Sequence, residues 1–195
     1  MLLSAELSSV CSSHESDGDR VRSLLRPSLL VDAVWDIDLD LLTRDGIRGL
    51  ILDLDNTIVN WNDTWVRPEM RQWIEAARQR GLRACIASNS LGPGRVARVA
   101  KELGLSVVPR AGKPFPRAFR RAMAALGTQP ATTCAIGDQV FTDMLGANWA
   151  GLTSILVQPL SKRESPHTRL IRLVERPLRR RWRAAQAGRD PRGAP

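Results

Sequence analysis

The fold is decided by Gly49-Leu50-Ile51-Leu52-Asp53-Leu54-Asp55-Asn56-Thr57. The apolar residues run on without alternation until the two aspartates, as in a strand covered on both faces in a parallel sheet. Residues i and i+2 of an extended chain point to the same side, so Asp53 and Asp55 can face one pocket where the strand runs out. Two carboxylates that close repel, and the arrangement is costly unless a cation is shared.

Outward from this strand, short apolar runs alternate with helical patterns, the rhythm of an α/β domain. A helix starts at Pro68 and ends before Gly81, with proline in its first turn and glycine past its last. Strands are predicted over 82–87, 105–108, 133–136 and 154–157, and helices over about 94–103, 116–126 and 142–150. The expectation is a three-layer, Rossmann-like α/β fold with a central parallel sheet in the order 5-4-1-2-3, counting from the 49–54 strand. Residues 29–42 are expected to pack on the sheet as a short helix and turn. Residues 1–20 read as an unstructured Ser-rich, acidic tail, 21–160 as the domain, and 161–195 as a basic helix and tail, with Pro177 interrupting a helix over 166–186.

Polar residues gather where the strands end, which is where open α/β sheets build their sites. The first strand supplies Asp53, Asp55 and Thr57, and the second Ser88 and Asn89. Lys113 follows the third, and Asp138, with Asp143 after it, follows the fourth. Four aspartates and no histidine make an oxygen-only donor set, suited to a hard divalent ion, with Mg²⁺ the natural candidate. Lys113, the Ser88 hydroxyl and backbone N–H groups would offset the charge of a bound phosphate. One carboxylate can attack phosphorus while a second moves a proton to the leaving oxygen. Plainer roles compete: Ser88-Asn89 can be a turn or helix cap, Asp143 can cap the helix after it, and Lys113 can be a solvated surface lysine. A calcium loop is excluded, since the required glycine and distal glutamate are missing.

In order and placement, Asp53-x-Asp55-x-Thr57, Ser88, Lys113 and Gly137-Asp138 with Asp143 resemble the haloacid-dehalogenase phosphatase superfamily, subfamily IIIA. The resemblance implies Asp53 as nucleophile, Asp55 as general acid/base that also offers its carbonyl to the metal, and Thr57 as orienter. It implies Ser88 with Asn89 on the phosphoryl oxygens, Lys113 neutralising nucleophile and phosphate, Asp138 on Mg²⁺, and Asp143 supporting the metal. Pro27-Ser28-Leu29-Leu30, Gly46 to Val59 followed by Trp61, Ala87 to Ser90, Ala111 to Pro114, Gly137-Asp138-Gln139 and Thr142-Asp143 are similar to the capless YqeG family. Relatives of that family in mitochondria and plastids release phosphate from phosphatidylglycerophosphate, which makes that lipid the leading substrate expected here. A phosphatase for a soluble metabolite or phosphoprotein, and a non-catalytic binding module on the same fold, are the competing readings.

Spacing and charge bear on the substrate. The gaps 58–87 and 90–112 are too short for an inserted cap domain, so an open site and a substrate attached to something large are expected. The chain of 195 residues carries a net charge of +9, with 43% hydrophobic residues. Residues 161–195 hold eleven Lys/Arg against Glu164, Glu175 and Asp190, so nearly all the excess charge is C-terminal. Arginines there interleave with Leu170, Ile171, Leu173, Val174, Leu178 and Trp182, the pattern of a basic amphipathic helix on an anionic bilayer. The competing arrangement packs its apolar stripe on the domain and leaves the arginines solvated. Nucleic acid is not expected, because no aromatic platform accompanies the charge. Three scattered cysteines, no CxxC pair and no run of roughly 18 apolar residues point to a reduced, cytoplasmic protein, peripheral at the inner face of a membrane.

Overall fold

The computed structural model describes residues 17–187 apart from Leu91, Pro109 and Ser165. Most of the expected N-terminal tail, including Cys11 and His14, lies outside the described residues. From Asp17 the chain is helical, so the last part of that segment belongs to an element.

Six parallel strands form one sheet: β1 (Leu29–Val31), β2 (Gly49–Leu52), β3 (Arg83–Ala87), β4 (Ser106–Val108), β5 (Thr133–Gly137) and β6 (Thr153–Val157). They stand in the order β1-β6-β5-β2-β3-β4. The five expected strands keep the expected order, and β1 is an addition at the edge. There Leu29–Val31 pairs with Ile155–Val157 as a strand, where a helix and turn were expected. Three consecutive apolar residues are too few to distinguish the two by periodicity.

Among the described residues seven α-helices cover the sheet: α1 (Asp17–Leu25), α2 (Leu39–Arg44), α3 (Pro68–Gln79), α4 (Pro93–Leu103), α5 (Pro116–Leu126), α6 (Leu145–Trp149) and α7 (Pro166–Ala187). α3, α4 and α5 each carry proline in the first turn and bury one apolar stripe, such as Met70, Trp73, Ile74 and Ala77 of α3. The alternation of β2 splits the core: Leu50 and Leu52 face the layer of α3 and α4, and Ile51 faces that of α5. Cys85 and Cys134 are buried free thiols that serve as small apolar residues, and burial pushes the Cys85 thiol up to about 12. No described helix is long and apolar enough to cross a membrane.

Two departures bear on the site. The expected 142–150 helix begins as a π-turn over Val140–Met144 before α6. α7 runs unbroken through Pro177. Its Gln186 amide hydrogen-bonds both the N–H (3.2 Å) and the C=O (2.9 Å) of Leu30 in the edge strand β1. That side chain supplies partners that an edge strand otherwise lacks.

Phe119 of α5 is almost wholly buried, and a Cβ on Gly146 of α6 would lie 2.4 Å from its ring. Phe119→Ala is therefore expected to lower stability by about 3–5 kcal/mol in urea unfolding.

Candidate active site

The carboxyl ends of β2, β3 and β5 meet the loop that carries Lys113. Lys113 Nζ donates to Asp53 Oδ1 at 2.5 Å and to Asp143 Oδ1 at 2.6 Å, and all three side chains are buried. Asp53, Asp138 and Asp143 each offer a carboxylate oxygen within 4.8 Å of the others. Asn89, expected beside the phosphoryl oxygens, holds the backbone of this lysine in place. Its Oδ1 accepts from the N–H groups of Gly112 (2.9 Å) and Lys113 (3.0 Å), and its Nδ2 donates to the Lys113 carbonyl (2.9 Å). With both ends of its amide Asn89 thus fixes the backbone of the loop that carries Lys113.

Asp143 accepts both from the backbone and from Lys113. Its Oδ2 accepts from the Gln139 N–H at 3.1 Å, closing the π-turn, while Oδ1 faces Lys113. Gly137 makes room for it, because a Cβ there would lie 2.3 Å from Asp143 Cγ. Asp138 is fully buried, and the Thr57 hydroxyl donates to its Oδ1 at 3.5 Å. Thr57 thus faces the carboxylate at the end of β5. Ser88 is buried at the end of β3, where its Oγ accepts from the Ser90 N–H at 3.0 Å.

Asp55 does not join the carboxylate cluster. Arg95 of α4 donates to its Oδ2 at 2.6 Å, and the Asn62 N–H donates to its Oδ1 at 3.0 Å. Arg95 also reaches Ser90 Oγ and the Asp63 carbonyl, so it staples the 55–63 segment to the second strand end. Nothing in the sequence marks Arg95 for this beyond its place in the first turn of a helix.

The residues that sequence reasoning missed come from α7. Arg172 forms a salt bridge to Asp138 Oδ2 and donates to the Asp138 carbonyl, to Glu164 (2.7 Å) and to Glu175 (3.0 Å). Arg179 donates to the same Asp138 carbonyl and to that of Val157. Glu175 Oε1 accepts from the N–H groups of Val140 (2.8 Å) and Phe141 (3.4 Å), the otherwise orphaned donors at the start of the π-turn. The loop bearing Asp138 is thus seated in a socket of three buried charged side chains. Their spacing at i, i+3 and i+7 with alternating sign was the available signal. Leu170, Leu173 and Val174 of this helix are 67%, 55% and 59% exposed, against the competing arrangement that packs the apolar stripe on the domain.

Charge in the cluster is unbalanced. Asp53, Asp138, Asp143, Glu164 and Glu175 face Lys113, Arg172 and Arg179, which leaves two negative charges when all are ionised. Burial first, and then the neighbouring carboxylates, push Asp53 up to about 8 against the pull of Lys113. Burial pushes Asp138 up to about 6, opposed by Arg172. Burial disfavours the Lys113 ammonium, but Asp143 and Asp53 outweigh it and hold the lysine above its ordinary value. Asp53 Oδ2 is buried and has no hydrogen-bond partner among the described residues. An orphaned carboxylate oxygen beside two more carboxylates, in a pocket short of two positive charges, fits a divalent cation.

Fold and site define an α/β protein with a buried cluster of aspartates suited to a divalent ion. The chain belongs to the haloacid dehalogenase-like hydrolases, and it is a phosphatase acting on phosphoric monoesters. The model of that family, described as a haloacid dehalogenase-like hydrolase, matches residues 61–151. The chain is 33% identical to the probable phosphatase YqeG of Bacillus subtilis, over 80% of its own length and 90% of that protein. It is 27% identical to phosphatidylglycerophosphate phosphatase 1, chloroplastic/mitochondrial, of Arabidopsis thaliana over 83% of its length, and spans about half (49%) of that relative. An uncharacterized protein from Listeria monocytogenes serotype 4b, of known structure, matches with a TM-score of 0.48 at 20% identity, covering 62% of this chain and 85% of that one.

Two predictions follow from the cluster. Asp53 and Asp138 have folded-state values above the unfolded carboxylate value, so their stabilising share is full below about pH 4 and is lost as pH rises through about 6 and 8. In chelator, the melting temperature of Asp53→Asn minus that of wild type should therefore become more positive from pH 5 to pH 9, and a flat difference contradicts it. Arg172→Ala leaves Glu175 and Asp138 buried without their shared cation and should cost about 3–5 kcal/mol in chelator, read by denaturant unfolding.

Proposed function

We propose that the chain is a Mg²⁺-dependent phosphatase that converts phosphatidylglycerophosphate to phosphatidylglycerol and phosphate at the surface of an anionic membrane, as a peripheral protein on its cytoplasmic side. The observation that carries the chemistry is the Asp53 carboxylate, with Oδ1 fixed by Lys113 and Oδ2 buried and unpartnered. Asp53, Asp138 and the main-chain carbonyl of Asp55 would hold the cation, with Asp143 supporting them. The bound ion would neutralise the acidic cluster and polarise the phosphoryl group.

In the first half-reaction an Asp53 oxygen attacks phosphorus as the bond to the leaving oxygen breaks, and Asp55 gives that oxygen its proton. In the second, Asp55 as carboxylate takes a proton from water, whose oxygen attacks phosphorus and releases phosphate and the Asp53 carboxylate. Arg95 and the Asn62 N–H hold Asp55 until substrate arrives, so the leaving oxygen competes with them for its carboxyl group. Lys113 and the Ser88 hydroxyl offset the phosphoryl oxygens, and Thr57 steadies Asp138.

The lipid reading is supported by the relative in Arabidopsis and by the outward face of α7. Leu170, Leu173 and Val174 form an exposed apolar stripe, flanked by the exposed Arg169, Arg176 and Arg180. Apolar side chains at the acyl boundary with cations among anionic headgroups, each contributing about 1 kcal/mol, suit an interfacial helix. The inward face of the same helix holds the Asp138 loop, so contact through α7 would bring the site to the lipid surface. Among the described residues no inserted domain stands between β2 and β3 or between β3 and α5 to bar a large substrate.

Wild type with Mg²⁺ should release phosphate from phosphatidylglycerophosphate, and Asp53→Asn should lose at least about a thousandfold of that rate. Leu173→Asp with Val174→Asp should weaken binding to anionic liposomes at least about tenfold. Turnover confined to soluble phosphates, with liposome binding indifferent to those changes, would sink the lipid assignment.

A further inference from the structure

A cleft of about 470 Å³ lies between the turn over 60–63, which follows β2, and the strap over 161–163, which follows β6. Both walls leave the sheet at the edge where the active site is built, and one buried residue ties them together. Asn56, in the left-handed conformation (φ 60°) that asparagine tolerates, accepts through Oδ1 from the Trp61 N–H (3.2 Å) and from Ser161 Oγ (2.8 Å). Its Nδ2 donates to the Arg163 carbonyl at 3.0 Å, and its own carbonyl accepts from the Leu160 N–H at 3.0 Å. Asn56 sits between Asp55 and Thr57, so the walls of the cleft are fixed to the middle of the catalytic segment.

The position of Asp55 decides what enters. The residue that protonates the leaving oxygen must meet it, so the rest of the leaving group extends into the space beside that carboxylate. Asn62, whose N–H donates to Asp55 Oδ1, lines this cleft. Lys162 and Arg163 line its other wall, exposed and without an ion-pair partner among the described residues. Lys113, Arg95, Arg172 and Arg179, which hold the carboxylates of the site, are each paired. The one acid in the lining, Asp63, turns its carboxylate to the N–H groups of Thr64 (2.7 Å) and Trp65 (3.1 Å). The two uncommitted cations are left for an anion from outside.

We infer that the cleft walled by Asn60–Asp63 and Ser161–Arg163 is a leaving-group subsite that selects phosphomonoesters whose alcohol carries a second phosphate in diester linkage. This deepens the phosphatase reading of Asp53 and rests on it. The volume lies in the range that encloses a small organic ligand. Charge on the far side of the alcohol is then read by Lys162 and Arg163, while the monoester end goes to Asp53 and Lys113.

The test pairs kinetics with direct binding. The kcat/KM of wild type and of the double variant Lys162→Glu, Arg163→Glu is compared on deacylated glycerophosphoglycerophosphate and on p-nitrophenyl phosphate. The ratio of the two values should fall by about tenfold in the variant, and added salt should erode the wild-type preference. Separately, glycerophosphoglycerol, a diester with no monoester to cleave, should bind Asp53→Asn with millimolar or better affinity in a titration by NMR. It should bind at least about tenfold more weakly when the two cations are also reversed. A ratio unchanged by the reversal, with turnover intact, overturns the subsite and leaves the phosphatase reading standing. No turnover of either monoester by wild type overturns that reading instead, and diester binding then decides the subsite by itself. Equal melting temperatures of variant and parent establish that the exposed substitutions leave the fold intact.

Discussion

The Lys113 ammonium, shared between Asp53 and Asp143 at 2.5 and 2.6 Å, is the constraint on which the site depends. Three carboxylates that close in a buried pocket would otherwise repel one another and force protonation or displacement. Lys113 can stand there because Asn89 grips its peptide from the end of β3. Asp143 can reach it because residue 137 lacks a side chain. The sheet register matters in turn, since Leu52↔Ile136 and Leu52↔Ile86 bring the ends of β5 and β3 level with Asp53. Local geometry, loop chemistry and topology thus meet on a single ammonium group.

One cation does not balance the pocket, and α7 supplies two more. Arg172 and Arg179 converge on the carbonyl of Asp138, with Arg172 also on its carboxylate, and Glu175 fills the donors of the next turn. A helix rich in leucine, valine and arginine would be expected to bury the first two and solvate the third. Arg172 and Arg179 are buried instead because the loop after β5 offers paired, directional partners for charge, and a desolvated guanidinium is tolerable only where such partners exist. The apolar stripe is left facing outward as a result, so one helix links the acidic centre to the face proposed for the membrane.

Much of this was legible in the chain. The unbroken apolar run of β2, the prolines that open α3, α4 and α5, and the glycines that follow them give the layered architecture directly. Asp53, Lys113, Asp138 and Asp143 come together as their places at strand ends imply. The edge strand β1 was not legible, because three residues carry no periodicity. The Asp55–Arg95 pair escaped because its partners lie 40 positions apart with no motif to join them. In the sequence Asn89 is marked only by its place beside Ser88, and the three-dimensional path of the 112–113 backbone reveals what it holds. In α7 the periodicity was plain, but which face turns inward depends on what the domain presents to it.

The most direct test of the account is mass spectrometry of acid-quenched enzyme taken during turnover of phosphatidylglycerophosphate with Mg²⁺. The account predicts one added phosphoryl group, localised to the peptide bearing Asp53 and absent from Asp53→Asn. A phosphoryl group on any other residue, or turnover that survives Asp53→Asn, would contradict it.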